Sequence, residues 1–444
     1  MRHLVVRRGA SRPACTSGSA DAPRATRAPG PAGAARTSGV DRSACASGAA
    51  RTSCAPRSAA LVLVIAMLKA LLLAGVLSTA LTTAAAAQTT ATEYVVPPTR
   101  CYAATDFAID TTDGGQAVRV AGSFLAPAGG GERPTVVMIT GSGGHLRQQM
   151  ISGVPMFGLL ADILARAGFN VVMADSRGFG GSTVDGQVWE EDKWLQVPTS
   201  LRVHDGMALL DHVLALPGVR RDGLIVLGHS EGSMIASVLA ANRTDIALSV
   251  LLSDSTAPGN ELFADQRTQT AIRRGATPEM AAAIRVQLLA MSAQFVKDPT
   301  DDAAFAAIAE GFARAQQGLE RPIYGPDFVA FHRTAPFLIH LMTYDPWSDI
   351  SRIKSPVLAI WGGADDATPA HVHAPILMRA LGQADNDDVS LHVIPDQDHF
   401  FLEYEGKRIA RHPYGKVRIS NELQALLLAE LGQRFPASQP YCEG

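Results

Sequence analysis

From residue 134 onward, short runs of consecutive apolar residues alternate with longer amphipathic segments. Runs this short that are apolar throughout predict strands buried on both faces, and the amphipathic segments between them predict helices. Before the first run, an apolar–polar alternation over 106–127 turns at Asp113-Gly114-Gly115 and predicts a β-hairpin. The predicted buried strands are 134–140, 170–176, 223–228, 247–255, 356–363 and 389–395.

Helical patterns separate these strands and predict a parallel sheet that is covered on both faces. The alternation breaks once, between the strands at 247–255 and 356–363, where about 100 residues are mostly helical by pattern. We expect 258–340 to be a helical cap over the carboxyl edge of the sheet, where it would shape a pocket and exclude water. A plain packing appendage is the alternative. The other predicted helices are 157–169, 200–216, 421–435 and one that follows the strand at 223–228.

The first 60 residues have neither a helical nor a strand period. They hold ten arginines and two acidic residues among Ala, Ser, Gly, Pro and Thr, with too few large apolar side chains to build a core. We expect residues 1–66 to be disordered, or to precede the true start of translation at Met67. From Met67, a lysine, an apolar run and Ala85-Ala86-Ala87 follow in the order of a secretory signal peptide. The sequence therefore predicts a signal peptide at 67–87, cleaved after Ala87, and a secreted or periplasmic protein.

An uncleaved membrane anchor at 61–81 is the alternative interpretation of the same apolar run, which is just long enough to span a bilayer. Lys69 in its middle disfavours the anchor. After cleavage, the chain from 88 to 444 carries 28 Lys and Arg against 40 Asp and Glu, a net charge of about −12. This balance disfavours a nucleic-acid partner, and we expect no stable membrane insertion once the signal peptide is removed.

The cysteines are consistent with export. Three of the five lie before Met67, which leaves Cys101 and Cys442 near the two ends of the mature chain. Such a pair in an oxidising compartment predicts a disulfide, and two free thiols are the alternative. The sequence has no C-x-x-C and no H-E-x-x-H spacing, so we expect no metal site.

The stretch Gly228-His229-Ser230-Glu231-Gly232 lies between a buried strand and a helical pattern. The glycines remove Cβ atoms that would clash where strand and helix meet, and the turn lifts the Ser230 hydroxyl above the sheet. The amide of Glu231 then lies at a helix N-terminus, where unpaired N–H groups favour negative charge. The pattern predicts Ser230 as a nucleophile and the Glu231 N–H as one oxyanion donor. A helix N-cap serine is the alternative.

A serine nucleophile needs a histidine base and an acid that orients the histidine. With the nucleophile at such a corner, the acid and then the histidine follow in the chain. Asp365, in the loop after the strand at 356–363, is the candidate acid. Its neighbour Asp366, and Asp254 at the end of the previous strand, are the alternatives.

His399, in the loop after the last strand, is the candidate base. His392 alternates with apolar neighbours inside that strand, so we expect it to be structural. His371 and His373 lie too close to the acid in sequence, and His412 lies far beyond the strand.

The second oxyanion donor is expected in Gly141-Ser142-Gly143-Gly144, which follows the strand at 134–140. The Ser142 N–H is the first choice and the Gly143 N–H the next. A further loop, 175–182, combines Asp, Arg and glycines, and we expect it to be a turn braced by an ion pair rather than a catalytic element.

Taken together, these segments resemble the α/β-hydrolase superfamily, and more narrowly a group of bacterial serine esterases with a GSG oxyanion loop and a GHSEG nucleophile elbow. The resemblance covers about 106–430 and includes ITGSGGHLRQ, VLGHSEGSMIA and IPDQDHFF. It implies the α/β-hydrolase fold, with a mostly parallel sheet flanked by helices, a core of 88–257 and 341–444, and the inserted cap at 258–340. Two departures are Ser233 in place of a usual glycine and an oxyanion loop without the acidic residues of the group.

The resemblance also implies Ser230, Asp365 and His399 as a catalytic triad that acts without a cofactor. The expected function is exported hydrolysis of small-molecule esters with short or medium acyl chains through an acyl-enzyme. A serine peptidase of the aminopeptidase type is the alternative, and it would need acidic cap residues such as those at 301, 302 or 310 to face the site. A non-catalytic binding protein is disfavoured because no triad member is missing.

Overall fold

The computed structural model describes residues 101–151, 153–404, 407–408 and 417–436. The predictions for 1–66, the signal peptide at 67–87, the alternative anchor at 61–81, His412 and Cys442 lie outside these ranges. In chain order, the strands are β1 (Tyr102–Asp113), β2 (Gln116–Pro127), β3 (Arg133–Ile139), β4 (Met150–Ile151), β5 (Val154–Pro155), β6 (Asn170–Ala174), β7 (Thr183–Val184), β8 (Val219–His229), β9 (Ile246–Leu252), β10 (Val357–Gly362), β11 (Val389–Ile394), β12 (Leu402–Tyr404), β13 (Lys407–Arg408) and β14 (Val417–Ile419).

Eleven α-helices lie within the described ranges, together with a 3₁₀ helix at Glu191–Gln196. None of these described helices combines the length and the apolar character that crossing a membrane requires. In chain order, the α-helices are α1 (Met156–Arg166), α2 (Thr199–Ala215), α3 (Glu231–Asn242), α4 (Gly259–Arg273), α5 (Pro278–Lys297), α6 (Asp302–Ala315), α7 (Phe328–Arg333), α8 (Pro336–Thr343), α9 (Trp347–Ile350), α10 (Ala370–Gln383) and α11 (Asn421–Arg434).

The main sheet has the strand order β1-β2-β6-β3-β8-β9-β10-β11. The six strands from β6 to β11 in this order are parallel, and β2 runs antiparallel to β6 at one end. β1 and β2 form the predicted hairpin around Gly114 and Gly115, both of which have positive φ angles. The predicted fold class, a mostly parallel sheet flanked by helices, is confirmed.

The helices cover both faces of the sheet, which explains the uninterrupted apolar runs of its strands. Alternate residues of β3 point to opposite faces: Val136 joins the core under α1 and α11, and Val137 joins the core under α2, α3 and α10. β3 therefore buries side chains on both sides, and no position between Val136 and Ile139 is left for a polar residue.

Between β9 and β10 the chain forms α4 to α8, a helical segment with its own apolar core that includes Phe263, Leu288 and Phe337. We call this segment, Gly259–Thr343, the cap; its last helix ends three residues beyond the expected boundary at 340. The amide of Gly259 donates to the carbonyl of Tyr344 (2.8 Å), which joins the two ends of the cap. Gln266 of α4 donates to the carbonyl of Ala367, so the cap contacts the loop at the carboxyl end of β10.

Two arginines, Arg177 buried and Arg147 partly buried, hold the loop after β6. Arg177 donates to Asp113 at the hairpin turn and to Asp205 of α2, both at 2.7 Å, and its side chain is only 1% exposed. Arg147 forms a bidentate pair with Asp175. The loop at 175–182 is therefore the ion-pair-braced turn expected from the sequence.

Candidate active site

The corner between β8 and α3 brings three backbone segments into close contact. A Cβ atom at Gly228 would lie 2.1 Å from the carbonyl oxygen of Gly232, and one at Gly232 would lie 2.1 Å from that of Ile139. Ser230 between them has φ 56° and ψ −122°, in the region that favours glycine. The two glycines are therefore required by space, and the serine is held in a strained conformation.

Ser230 is half-buried and is fixed through its backbone. Its amide donates to the carbonyl of Leu252 at 2.9 Å, at the end of β9. Its hydroxyl neither caps α3 nor bonds to any residue in the described ranges, so the N-cap alternative is wrong. Ser233, which replaces a usual glycine, is accommodated because its hydroxyl donates to the Gly228 carbonyl (2.8 Å).

Asp365 and His399 form a pair at the carboxyl ends of β10 and β11. His399 Nδ1 lies 2.9 Å from Asp365 Oδ2, and Asp365 is 5% exposed. Because a carboxylate only accepts, Nδ1 carries the proton, which leaves the lone pair on Nε2. The carbonyl of His399 accepts from Ser253 (3.2 Å) and from His229, so the loop is attached beside the residue that precedes Ser230.

The charge of Asp365 is stabilised by its hydrogen bonds. Burial alone would raise the pKa of this carboxyl group, but the hydrogen bond from His399 and those from Thr368 hold the pKa below its ordinary value. The amides of Ala367 and Thr368 donate to Oδ1 at 2.9 Å, and the Thr368 hydroxyl donates to Oδ2 at 2.8 Å. Asp365 is thus ionised throughout the neutral range and can orient an imidazole.

Neither alternative acid is in this position. The Asp366 side chain is 73% exposed and pairs with Arg273 of the cap. Asp254 is fully buried; its Oδ1 accepts from the amide of Ser255, and its Oδ2 has no hydrogen-bond partner in the described ranges.

The other histidines have separate environments. His392 is buried in β11 and lies 3.2 Å from Glu430 of α11, in the structural position expected for it. His373 is buried, and its Nδ1 accepts from the amides of Thr256 and Ala257. Burial lowers the pKa of His373 to about 4. His371 is exposed.

The glycine-rich loop after β3 presents unpaired amides. Ser142 is exposed, and neither its N–H nor that of Gly143 bonds to a residue in the described ranges, whereas the Gly141 N–H donates to Gln149. The Ser142 carbonyl faces Nε2 of His145 at 2.8 Å. Both candidate oxyanion amides are thus available in the loop.

Arg202 of α2 holds this loop, a role that the sequence did not reveal. It donates to the carbonyls of Thr140 (2.7 Å) and Gly141 (3.0 Å), and it pairs with the buried carboxylate of Glu231 at 2.8 Å. The Glu231 side chain also accepts from Thr199. The side chain of Glu231, next to Ser230, is therefore turned away into an ion pair.

The cap contributes to a narrow cavity beside the corner. Phe337 of α8 and Trp194 of the 3₁₀ helix, with ring centroids 4.8 Å apart, line this cavity together with Gly143 and Glu231. The acidic cap residues that an aminopeptidase would need lie on the surface instead: Asp302 and Glu310 are 86% and 74% exposed and pair with nearby arginines. Asp301 caps α6.

Two further expectations from the sequence concern metal ligands and the disulfide. Within the described ranges, no group of three or more His, Cys, Asp or Glu side chains is arranged to hold a metal ion. Cys101 is disulfide-bonded, and its partner lies outside those ranges. The predicted pairing with Cys442 stays a prediction.

Asp254 generates a prediction about stability. Burial raises the pKa of this carboxyl group to about 7. Between pH 4 and pH 7 the folded state keeps a proton that the unfolded state releases, so stability falls as the pH rises through this window. Chemical denaturation at pH 4 and pH 8 measures the free energy of unfolding of wild type and Asp254→Asn. From pH 4 to pH 8, the value for the variant minus that for wild type is expected to rise by up to about 4 kcal/mol.

Asp366→Asn is the matched control for removal of a nearby exposed carboxylate. A stability difference between wild type and Asp254→Asn that stays constant from pH 4 to pH 8 would contradict the assignment of a protonated Asp254.

Comparisons with known proteins agree with this architecture. A family model described as the alpha/beta hydrolase fold matches residues 134–405. A sequence search of curated proteins found no match.

Several solved structures resemble the chain at low identity. An esterase from Pyrococcus furiosus is 15% identical with a TM-score of 0.45, covering 77% of this chain and 96% of its own. Acetyl xylan esterase 1 from Thermoanaerobacterium is 18% identical with a TM-score of 0.43, covering 76% and 85%. Proline iminopeptidase from Mycobacterium smegmatis is 17% identical with a TM-score of 0.41, covering 75% and 100%. On the family match, which spans the parallel strands, the corner and the loop of His399, the chain belongs to the alpha/beta hydrolase fold family.

Proposed function

We propose that the protein is a serine hydrolase that cleaves carboxylic esters of short or medium acyl chains through an acyl-enzyme. The observation that carries this proposal is the Asp365–His399 pair, 2.9 Å apart, in a loop attached beside the strained corner of Ser230. A half-buried hydroxyl that bonds to no residue in the described ranges, together with an oriented imidazole whose loop is attached to the residue before it, supplies the groups that nucleophilic catalysis needs.

In the first half of the reaction, the Ser230 oxygen attacks the ester carbonyl carbon while Nε2 of His399 takes the hydroxyl proton. Asp365 stabilises the imidazolium that forms but does not itself take the proton. The carbonyl oxygen becomes negative in the tetrahedral intermediate, and the amides of Glu231 and Ser142 are its proposed donors, with Gly143 as the alternative to Ser142. The intermediate collapses, His399 returns the proton to the alcohol, and the alcohol leaves.

In the second half, water replaces the alcohol. His399 takes a proton from water as the water oxygen attacks the acyl carbon, and then gives a proton to the Ser230 oxygen as the acid leaves. The short or medium acyl chain is the part of the proposal that rests on the resemblance of the sequence to bacterial serine esterases.

We also propose that the protein is exported. The order of Lys69, an apolar run and Ala85-Ala86-Ala87 supports a signal peptide at 67–87, and a disulfide-bonded Cys101 is consistent with an oxidising compartment. The mature enzyme then begins at Gln88 and acts in the periplasm or outside the cell.

Hydrolysis of p-nitrophenyl acetate, butyrate and octanoate tests the nucleophile. Wild type is expected to turn over the shorter esters, and Ser230→Ala to lose about 10³-fold or more of kcat because no acyl-enzyme can form. Ser237→Ala is the control, because it removes another buried hydroxyl of α3 that bonds to no residue in the described ranges. A folded wild type without activity on all three esters would contradict the proposal, and aminoacyl amides would be tried next.

Paired substitutions at 365 and 366 test the acid. Asp365→Asn is expected to lower kcat by about 10⁴-fold because an amide cannot hold the imidazole in the required tautomer, while Asp366→Asn stays within about twofold of wild type. Steady-state kinetics on p-nitrophenyl butyrate measures both. Equal effects of the two substitutions would refute the assignment.

Processing tests export. When the chain is expressed from Met67 in a bacterial host, N-terminal sequencing of the protein recovered from the periplasm is expected to begin at Gln88. Replacement of Ala85 and Ala87 by Leu should block cleavage because the site requires small residues. Protein that retains Met67 and remains in the cytoplasm would contradict export.

A further inference from the structure

A chain of three hydrogen bonds, two of them buried and the third partly buried, connects the loop after β3 to the loop of His399. The Gly141 N–H donates to Gln149 Oε1 (3.2 Å), and Gln149 Nε2 lies 2.9 Å from His229 Nδ1. His229 Nε2 lies 2.8 Å from the carbonyl oxygen of His399. Gln149 and His229 are each 1% exposed, so water does not replace these bonds.

We propose that Gln149 and His229 are positioning residues that hold the glycine-rich loop and the loop of His399 in a fixed relation to Ser230. The inference rests on the proposed catalytic roles of Ser230 and His399. Neither positioning residue is assigned contact with the reacting atoms.

The two end groups of this chain of hydrogen bonds determine the direction of every bond in it. The Gly141 N–H can only donate, so the atom of Gln149 that faces it is the oxygen, and the amide nitrogen must face His229. The His399 carbonyl can only accept, so His229 Nε2 carries a proton and Nδ1 is the acceptor for Gln149. One amide orientation and one tautomer satisfy all three bonds.

This arrangement requires a neutral His229. A proton on Nδ1 would face the amide hydrogens of Gln149 and break the middle bond. Burial, with a further contribution from the nearby charge of His399, lowers the pKa of His229 to about 3, which keeps the ring neutral at any ordinary pH. The opposing influence of Asp365 is smaller.

The strained backbone of Gln149 also indicates that its side chain is held in one position. Gln149 has φ 46°, a conformation that side chains adopt at a cost of about 1–2 kcal/mol, and it aims the amide into the buried space behind the corner. The ring of His229 packs 4.9 Å from that of His399 and 5.8 Å from that of Phe400. Hydrogen bonding and packing thus act on the same loop.

Two substitutions interrupt the chain of hydrogen bonds at different points. In His229→Asn, the Asn oxygen can lie near the position of Nδ1 and accept from Gln149, so that bond is kept. The side chain is too short to reach the His399 carbonyl, so the second bond is lost. Gln149→Leu preserves most of the volume and removes the bonds to both Gly141 and His229. Ser253 still donates to the His399 carbonyl in both variants, so we expect displacement of the loop rather than its loss.

The primary measurement is the rate at which a fluorophosphonate probe labels Ser230 in the full-length chain, with p-nitrophenyl butyrate kinetics beside it. His229→Asn and Gln149→Leu are each expected to slow labelling and lower kcat by about 10- to 100-fold, with KM within about threefold. The double variant should be no slower than the slower single variant, because both substitutions interrupt one chain.

The matched control is His392→Asn, which alters a buried, hydrogen-bonded histidine of β11 outside the chain. It is expected to lower the melting temperature without slowing labelling. Circular dichroism and thermal melts establish that each variant is folded. The proposal would be overturned if folded His229→Asn and Gln149→Leu were labelled at the wild-type rate. It would also be overturned if their separate reductions in rate multiplied in the double variant.

Failure of the proposed function is recognisable separately, since wild type would then not be labelled at Ser230. In that case ¹⁵N NMR of His229 decides whether the chain of hydrogen bonds exists. We expect a neutral ring with the proton on Nε2 down to about pH 4 and, in Gln149→Leu, a shift of the Nδ1 resonance because that nitrogen loses its hydrogen-bond donor. A proton on Nδ1, or titration near the ordinary pKa of histidine, would refute the chain.

Discussion

The close approach of three backbone segments at Gly228, Gly232 and Ile139 is the constraint on which the rest of the site depends. A Cβ at either glycine would stand 2.1 Å from a carbonyl oxygen, so α3 can begin against the end of β3 only if both positions lack side chains. The contact forces Ser230 to φ 56°, at a cost of about 1–3 kcal/mol that the surrounding structure must offset. The bonds from Ser230 to Leu252 and from Ser233 to Gly228 hold the corner in this state.

The same approach explains why charge is buried next to Ser230, the proposed nucleophile. With α3 starting against β3, the carbonyls of Thr140 and Gly141 end in an apolar environment and need donors. Arg202 supplies them, and a buried guanidinium in turn needs an anion, which Glu231 provides at 2.8 Å. The carboxylate next to Ser230 is therefore accounted for by the needs of the backbone behind it. With those carbonyls bonded to Arg202, the following amides at 142 and 143 have no protein partner in the described part of the chain.

Sequence patterns predicted the elements whose signals are local. The apolar runs found the six parallel strands because each is buried on both faces, and the glycine pair found the corner because only glycine fits there. Asp365 and Asp366 could not be separated by pattern, since adjacent residues of a loop differ only in where each points. The roles of Gln149 and Arg202 were missed because their partners lie 80 and 61 residues away, and no local period records such contacts.

The two buried carboxyl groups at the strand ends show why Asp365, after β10, suits the proposed role of orienting acid better than Asp254, after β9. Asp254 has one amide donor and an unpartnered Oδ2 within the described ranges, so burial dominates and raises its pKa to about 7. Asp365 is almost as deeply buried, but two amides, a hydroxyl and an imidazole donate to it, and its pKa falls below the ordinary value. A carboxyl group that is half-protonated near neutral pH cannot hold an imidazole in one tautomer, whereas a fully ionised one can. The turn at 365–368, which supplies the amides of Ala367 and Thr368, is thus what distinguishes an orienting acid from a merely buried one.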